Sequence, residues 1–424
     1  MKNILVFPCG SEIALEIYKS LEFSTHFTLF GASSVKDHGE FIYKNYIANL
    51  PFHNDKNFIP TLKEIVKKYK IDAIYPAMDL VAFTLKQYEK ELECKVIGST
   101  LDTTKICASK NETYALFKNK IPLPLIYKTL EEAVFPIFIK PNIGYGSRNI
   151  FFAKTLLDAQ TFLEQKKDVG DFVLCEYLSQ EEYTIDCFSN RHGELLFYKP
   201  RQRARISNGI SVNTIHTNKH KELFSKIAKE INATLKPQGA WFFQMKEDKN
   251  NKPKLLEIAA RLGGSSSLCR AKGINFAQLS LFDAFDIDVS IIENSYEVEL
   301  DRALDNKYKI HFDFSTIYVD YDDCIIVNEK VNHQIISFLY KAFNENKKII
   351  LITRHAGNLE NSLKTHRIKQ LFDKIIHLNK EQKKSTFIKD INSIFIDDSF
   401  IERKDVASIH KIPVFSPDMI EVLL

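Results

Sequence analysis

Three groups of residues in this 424-residue sequence have the types and spacing for chemistry. The first centres on Lys140, the only charge at the end of the apolar run 135–139. A lysine there is poorly placed unless its ammonium meets an anionic partner. Gly144, Gly146 and Ser147 follow and permit a tight loop whose backbone N–H groups can surround phosphate oxygens. The alternative is a plain hairpin with a snorkelling lysine.

The second group lies downstream. Residues 172–175 read as a strand that ends in Glu176-Tyr177-Leu178, and Glu182 comes shortly after. Backbone donors and acceptors at such an edge can hydrogen-bond an adenine ring, and a carboxylate a few residues on can hold ribose hydroxyls. Gln244 and Glu257 stand on two apolar runs, 239–245 and 254–259, that could pair as strands. Oxygen ligands on neighbouring strands suit magnesium, which keeps waters and phosphate oxygens as its other ligands. Arg201, Arg203 and Arg205 share one face if their segment is a strand, and are candidates for holding an anionic substrate. A solvent-facing basic edge is the alternative.

The third group is C-terminal. Residues 316–319 run into Asp320, Asp322 and Asp323; residues 349–352 end at Thr353; residues 394–396 end at Asp397-Asp398. Lys384, with Lys383 beside it as an alternative, precedes another helix-like run. If the three runs are parallel strands, these groups converge at one sheet edge. Acids gathered there repel one another unless a cation sits among them.

The elements that must position these groups follow from the sequence pattern. Over the first hundred residues, strand-like runs (4–7, 26–30, 73–75, 95–97) alternate with helix-like runs (12–21, 57–69, 80–92), which implies a parallel sheet with crossover helices. Ser11 is a candidate N-cap. The turn Pro8-Cys9-Gly10-Ser11 lacks the spacing of a dinucleotide loop. Asp79, just after the 73–75 strand, is either a substrate contact or a helix cap. A second region spans 101–300, and the polar stretch 294–309 reads as a linker to a third, 308–424.

Composition bounds the partners. With 58 basic and 54 acidic residues spread along the chain, nucleic acid is not the default partner. The short apolar start is interrupted at Pro8, and no apolar run approaches the roughly 20 residues of a membrane span, so a cytoplasmic protein is expected. Seven scattered cysteines without a Cys-x-x-Cys pair argue against a disulfide framework or structural zinc. His216 and His220 span a strand-to-helix boundary, which argues against a metal pair.

Lys110, Lys140-Pro141, the 144–147 loop, Glu176-Tyr177-Leu178, Glu182 and the series Gln244…Glu257-x-x-x-Arg261-x-Gly263-Gly264 together resemble the ATP-grasp superfamily. The similarity is to its carbamoyl-phosphate-synthase-like branch, over about 1–300. It implies a Rossmann-like α/β domain at 1–100 followed by a two-lobed α+β ATP-grasp domain at 101–300. By the resemblance, Lys110 and Lys140 bind ATP phosphates, and Gly144, Gly146 and Ser147 cover them. Glu176 and Leu178 form the adenine hinge, Glu182 contacts ribose, and Gln244 and Glu257 hold magnesium, with manganese as an alternative. Arg261 stabilises an acyl phosphate. Ala259 departs from the family pattern, which has asparagine there as a further metal contact.

The C-terminal order, 308–424, resembles the haloacid dehalogenase (HAD) superfamily of phosphatases. That resemblance makes Asp320 the nucleophile and Asp322 the general acid/base; Thr353 and Lys384 hold the phosphoryl group. Asp320, Asp322 and Asp397 then serve the magnesium site, supported by Asp398. Cys324 replaces a common threonine, and the segment leaves little room for a cap. The expected whole is a bifunctional α/β protein. It combines an ATP-dependent carboxylate–amine (or thiol) ligase releasing ADP with a phosphatase acting on a phosphorylated metabolite, in a family that often forms homodimers. The alternatives are a phosphatase with a ligase-inactive nucleotide module and a non-catalytic ATP-responsive scaffold.

Overall fold

The apolar start folds as strand β1 (Lys2–Phe7). It is the centre of a parallel sheet with β2 (Phe27–Ala32), β3 (Asn45–Ile47), β4 (Ala73–Pro76) and β5 (Lys95–Val96), in the order β3-β2-β1-β4-β5. Helix α1 (Glu12–Leu21) opens where Ser11 Oγ accepts the Ala14 N–H, as the sequence predicts. Helix α2 (Phe58–Tyr69) has the expected apolar spacing and buries Phe58, Leu62, Ile65 and Val66. This computed structural model describes residues 1–144, 148–166 and 170–424.

Three expectations change here. Strand β3 has only three residues and no clear alternation, so the sequence pattern does not reveal it. The helix expected over 80–92 is broken at Tyr88 into α3 (Asp79–Gln87) and α4 (Glu89–Leu92). The polar stretch read as a linker contains a paired strand, described below.

Residues Met1–Asp305 form one compact unit and Asn306–Leu424 a second. In the first unit, helices α5 (Leu101–Ala108) and α6 (Lys110–Phe117) lead into two antiparallel sheets. The smaller contains β6 (Ile126–Tyr127), β7 (Ile137–Pro141), β8 (Phe151–Ala153) and β9 (Phe172–Glu176), in the order β6-β9-β7-β8. The larger contains β10 (Glu182–Ser189), β11 (Leu195–Ser207), β12 (Ile210–His216), β13 (Gly239–Glu247), β14 (Pro253–Ala259) and β15 (Glu299–Asp301). Strand β15 pairs antiparallel with β12, placing part of the supposed linker in the sheet. The helix Lys221–Leu235 packs Phe224, Ile227 and Ile231 into a core with Trp241, Phe243 and Met245.

The second unit is a parallel sheet of β16 (Thr316–Val319), β19 (Lys348–Thr353), β20 (Lys374–His377), β21 (Ser393–Ile396) and β22 (Val414–Phe415). Their order is β20-β19-β16-β21-β22. The short hairpin β17 (Ile326–Val327) and β18 (Lys330–Val331) follows β16. Lys384 opens a short 3-10 helix, Lys384–Phe387. Among the described residues, no helix is long and apolar enough to cross a membrane.

Candidate functional site

A cleft of about 740 Å³ is lined by residues of both antiparallel sheets and by Lys110. Lys140 and Gly144 come from β7 and the turn after it; Glu176, Tyr177 and Leu178 come from the end of β9. Glu182, Gln244 and Glu257 face it from β10, β13 and β14. Strands β13 and β14 pair with Gln244 opposite Glu257. Gly146 and Ser147 lie outside the described residues.

Lys140 differs from expectation in its partners. Its ammonium is buried, yet it donates to the Tyr114 hydroxyl at 2.7 Å and to the Leu256 carbonyl at 3.1 Å rather than to a carboxylate. Burial lowers the pKa of the Lys110 ammonium; Glu257 opposes the shift and Lys140 adds to it. A buried lysine beside a half-buried one, with the Glu257 and Asp79 carboxylates nearby, is a setting that can receive an anionic ligand.

Arg203 also lines the cleft. Its guanidinium donates to Glu182, to Gln244 Oε1 at 3.1 Å and to the Gly209 carbonyl at 2.5 Å. Lys246 adds a cation 3.4 Å from Glu182. The oxygens of Glu182 and Gln244 are thus already engaged by positive side chains. Lys246 stands two residues after Gln244, on the same strand face, and that spacing was the available signal for it.

The three arginines of β11 do not converge. Arg201 is buried against Asp186 at 2.7 Å, and Arg205 pairs with Asp301 on β15 at 2.7 Å near solvent. Irregular register between Gln202 and Arg205 separates them. Arg205 therefore lies outside the cleft lining, contrary to the expected shared face.

Arg261 lies beyond Glu257, also outside that lining. It meets Asp79 Oδ2 at 2.8 Å and sits over the Phe242 ring, 5.3 Å from its centroid. Asp79 is the first residue of α3, whose N-cap is Met78, so its partner is an arginine rather than a helix end. Ala259 lines a small adjoining pocket with Asp79, Lys110 and Glu257. His216 and His220 are engaged separately: His220 meets Glu247 at 2.6 Å, while His216 ends β12.

In the second unit, parallel pairing of β16 with β19 and β21 brings Asp320, Thr353 and Asp397 to one sheet edge. Lys384 Nζ lies 2.7 Å from both Asp320 Oδ1 and Asp397 Oδ2. Lys384 rather than Lys383 takes this place. Burial raises the pKa of Asp320, against the pull of Lys384. Burial, aided by Asp320, pushes Asp397 up to about 6. Burial depresses the Lys384 ammonium, but the two carboxylates outweigh it and its pKa is raised. One lysine therefore does not balance the acids.

Oxygens of Asp320, Asp397 and Asp398 lie within 4.8 Å of one another, a donor set that suits a hard divalent cation. Asp322 is not in that set. Its carboxylate turns to His355 Nδ1, at 2.9 and 3.0 Å, and is half exposed. His355 was missed because nothing in its sequence setting, beyond nearness to Thr353, marks it.

Residues 168–305 match the model of a family described as ATP-grasp in the biosynthetic pathway with Ter operon. A sequence search of curated proteins finds no significant match. The structure is similar to the biotin carboxylase domain dimer of Hydrogenobacter thermophilus 2-oxoglutarate carboxylase, in complex with MgADP, ADP and bicarbonate. That likeness has a TM-score of 0.58 and 13% identity, covering 69% of this chain and 71% of the other. It is also similar to Campylobacter jejuni biotin carboxylase in complex with a β-γ-ATP ligand (TM-score 0.58, 16% identity, 68% and 72% covered). An L-amino acid ligase from Bacillus licheniformis aligns with a TM-score of 0.53 at 17% identity, covering 67% of this chain and 74% of that one. With its two antiparallel sheets lining one cleft and the family match at 168–305, the chain contains an ATP-grasp domain.

Proposed function

We propose that the first unit is an ATP-dependent ligase that activates a carboxylate as an acyl phosphate and passes it to an amine or thiol. The observation that carries this reading is the single cleft into which Lys110, Lys140, Glu176, Glu182, Gln244 and Glu257 all project. The similar solved structures, which hold MgADP or an ATP analogue, support a nucleotide there. Magnesium, when bound, neutralises phosphate oxygens, and Gln244 and Glu257 are the residues that would hold it.

The chain's own part is positioning and charge neutralisation. Lys110 and Lys140 hold the phosphates. The substrate carboxylate oxygen attacks the γ-phosphorus, the bond to the β-phosphate oxygen breaks, and ADP leaves. Arg261 steadies the acyl phosphate. The nucleophile then attacks the acyl carbon, loses its proton and expels inorganic phosphate.

For the second unit we propose a magnesium-dependent phosphatase. Asp320 attacks the phosphorus of a phosphate monoester, Thr353 and Lys384 hold the phosphoryl oxygens, and Asp322 gives a proton to the leaving oxygen. Water then hydrolyses the aspartyl phosphate. The convergence of Asp320, Thr353, Lys384 and Asp397 at one edge supports it. Ala259 favours a second reading, in which the first unit binds nucleotide without ligating and the phosphatase is the only activity.

The test is phosphorus NMR of the protein with magnesium-ATP and pooled small carboxylates and amines, beside Lys140→Ala. ADP and phosphate that form only with added metabolite, and not in the variant, are expected. AMP and pyrophosphate would show adenylation and overturn the acyl-phosphate mechanism. Intact ATP, with phosphate released from another metabolite, would leave the second reading.

A further inference from the structure

The geometry points to Tyr114 as a positioning residue that holds Lys140 for phosphate binding. This inference rests on the nucleotide reading of the cleft. Lys110 and Tyr114 are four apart on α6, so they share one helix face. Tyr114 is 5% exposed, and its hydroxyl donates to the Leu256 carbonyl at 2.7 Å while accepting from Lys140 Nζ at 2.7 Å. The ammonium lies 5.3 Å from the ring centroid, at the hydroxyl end, so the contact is a hydrogen bond and not a face-on cation–π contact.

The carbonyl that completes this anchor is freed by a β-bulge. Gln244 faces Glu257 and Met245 faces Leu255, which leaves Leu256 as the extra residue of β14. Its oxygen leaves the ladder and accepts from both Tyr114 and Lys140. One bulge thereby links a cleft carboxylate, Glu257, with the lysine opposite. A lysine ammonium has three N–H donors, and Tyr114 and Leu256 take two of them. Among the described residues no carboxylate pairs with it, so the third donor is available to a ligand in the cleft that Lys140 lines. Burial raises the Tyr114 phenol well above its ordinary range, so the hydroxyl keeps its proton and its role as donor to Leu256.

The experiment is calorimetric binding of MgADP and of adenosine to the full chain, to Tyr114→Phe, to Lys140→Met and to the double variant. Tyr114→Phe keeps the ring and removes only the hydroxyl. It is expected to weaken MgADP roughly three- to tenfold, the scale of one net hydrogen bond, and to leave adenosine binding unchanged. Added to Lys140→Met, it should weaken MgADP no further, because it acts through that lysine. Equal losses for MgADP and adenosine, or full additivity in the double variant, would show a merely structural tyrosine and overturn the assignment. So would unchanged MgADP binding in Tyr114→Phe while Lys140→Met weakens it. If Lys140→Met itself leaves MgADP binding intact, the phosphate-binding reading of Lys140 fails first, and this assignment with it.

Discussion

At the residue scale, charge pairing decides what each side chain can do. Arg261 is held by Asp79; neither is in the lining of the larger cleft, and Asp79 lines the small pocket adjoining it. Asp79→Asn should therefore lower ligase turnover about tenfold to a hundredfold by loosening the arginine, while MgADP affinity measured by calorimetry stays within about twofold. Equal losses in both would place Asp79 in nucleotide binding instead. In the second unit, Lys384 separates two buried carboxylates. Removing it in Lys384→Met should destabilise that unit by about 3 kcal/mol near pH 8, the cost of stranding a buried charge. The sign with pH follows from Asp397, already raised from 3.8 to about 6. An acid with a raised folded pKa binds more protons folded than unfolded, so the deficit should shrink as pH falls through and below 6. Urea midpoints, followed by pulsed hydrogen exchange of β21 across this range, check it. A deficit independent of pH would mean lost packing rather than unbalanced charge. Part of this scale was legible in sequence: charges ending apolar runs, single at Lys140 and clustered at Asp320 and Asp397, marked these residues as candidates. Several pairings were not, since Tyr114 beside Lys140, Asp79 beside Arg261 and His355 beside Asp322 come from distant positions that only folding brings close.

At the element scale, the strands that carry paired chemistry were readable, because Gln244 and Glu257 each interrupt an apolar run long enough to be a strand. The bulge at Leu256 was not, because one extra residue changes register without changing composition. The same limit explains Arg205, whose even spacing from Arg203 predicts a shared face that irregular pairing removes. Strand β15 escaped notice for another reason: it is three residues long, has Leu300 as its one apolar residue, and gains its place from pairing with β12. Helix α6 shows how an element delivers a site. Ser109 Oγ accepts the Glu112 N–H at 3.2 Å and donates to Asn142 Oδ1 at 3.1 Å. Asn142 follows β7, and its side chain also accepts the Asn111 N–H, so one cap fixes Lys110 relative to Lys140. Ser109→Ala should cost about 1 kcal/mol of stability in thermal unfolding, and should weaken MgADP several-fold by letting the two lysines drift. Loss of stability with unchanged MgADP affinity would confine Ser109 to capping.

At the scale of the whole molecule, the chain carries two separate acidic and basic constellations in two compact units. The described cleft residues fall before Asp305, and the carboxylate cluster falls after Asn306. If each constellation is a working site, single substitutions should split the activities cleanly. Lys140→Ala should abolish metabolite-dependent ADP formation while magnesium-dependent hydrolysis of p-nitrophenyl phosphate continues at the unaltered rate. Asp320→Asn should do the reverse, because the amide keeps the shape of the side chain but cannot act as the nucleophile. The control is magnesium itself: chelation should stop both reactions, since each constellation offers oxygen donors around concentrated negative charge. Hydrolysis that persists in Asp320→Asn would deny this cluster its catalytic role and leave it as a buried ion cluster around Lys384. ADP formation that falls with Asp320→Asn would tie the units together: ligation would then depend on phosphate removal in the second unit, and the two sites would form one reaction sequence.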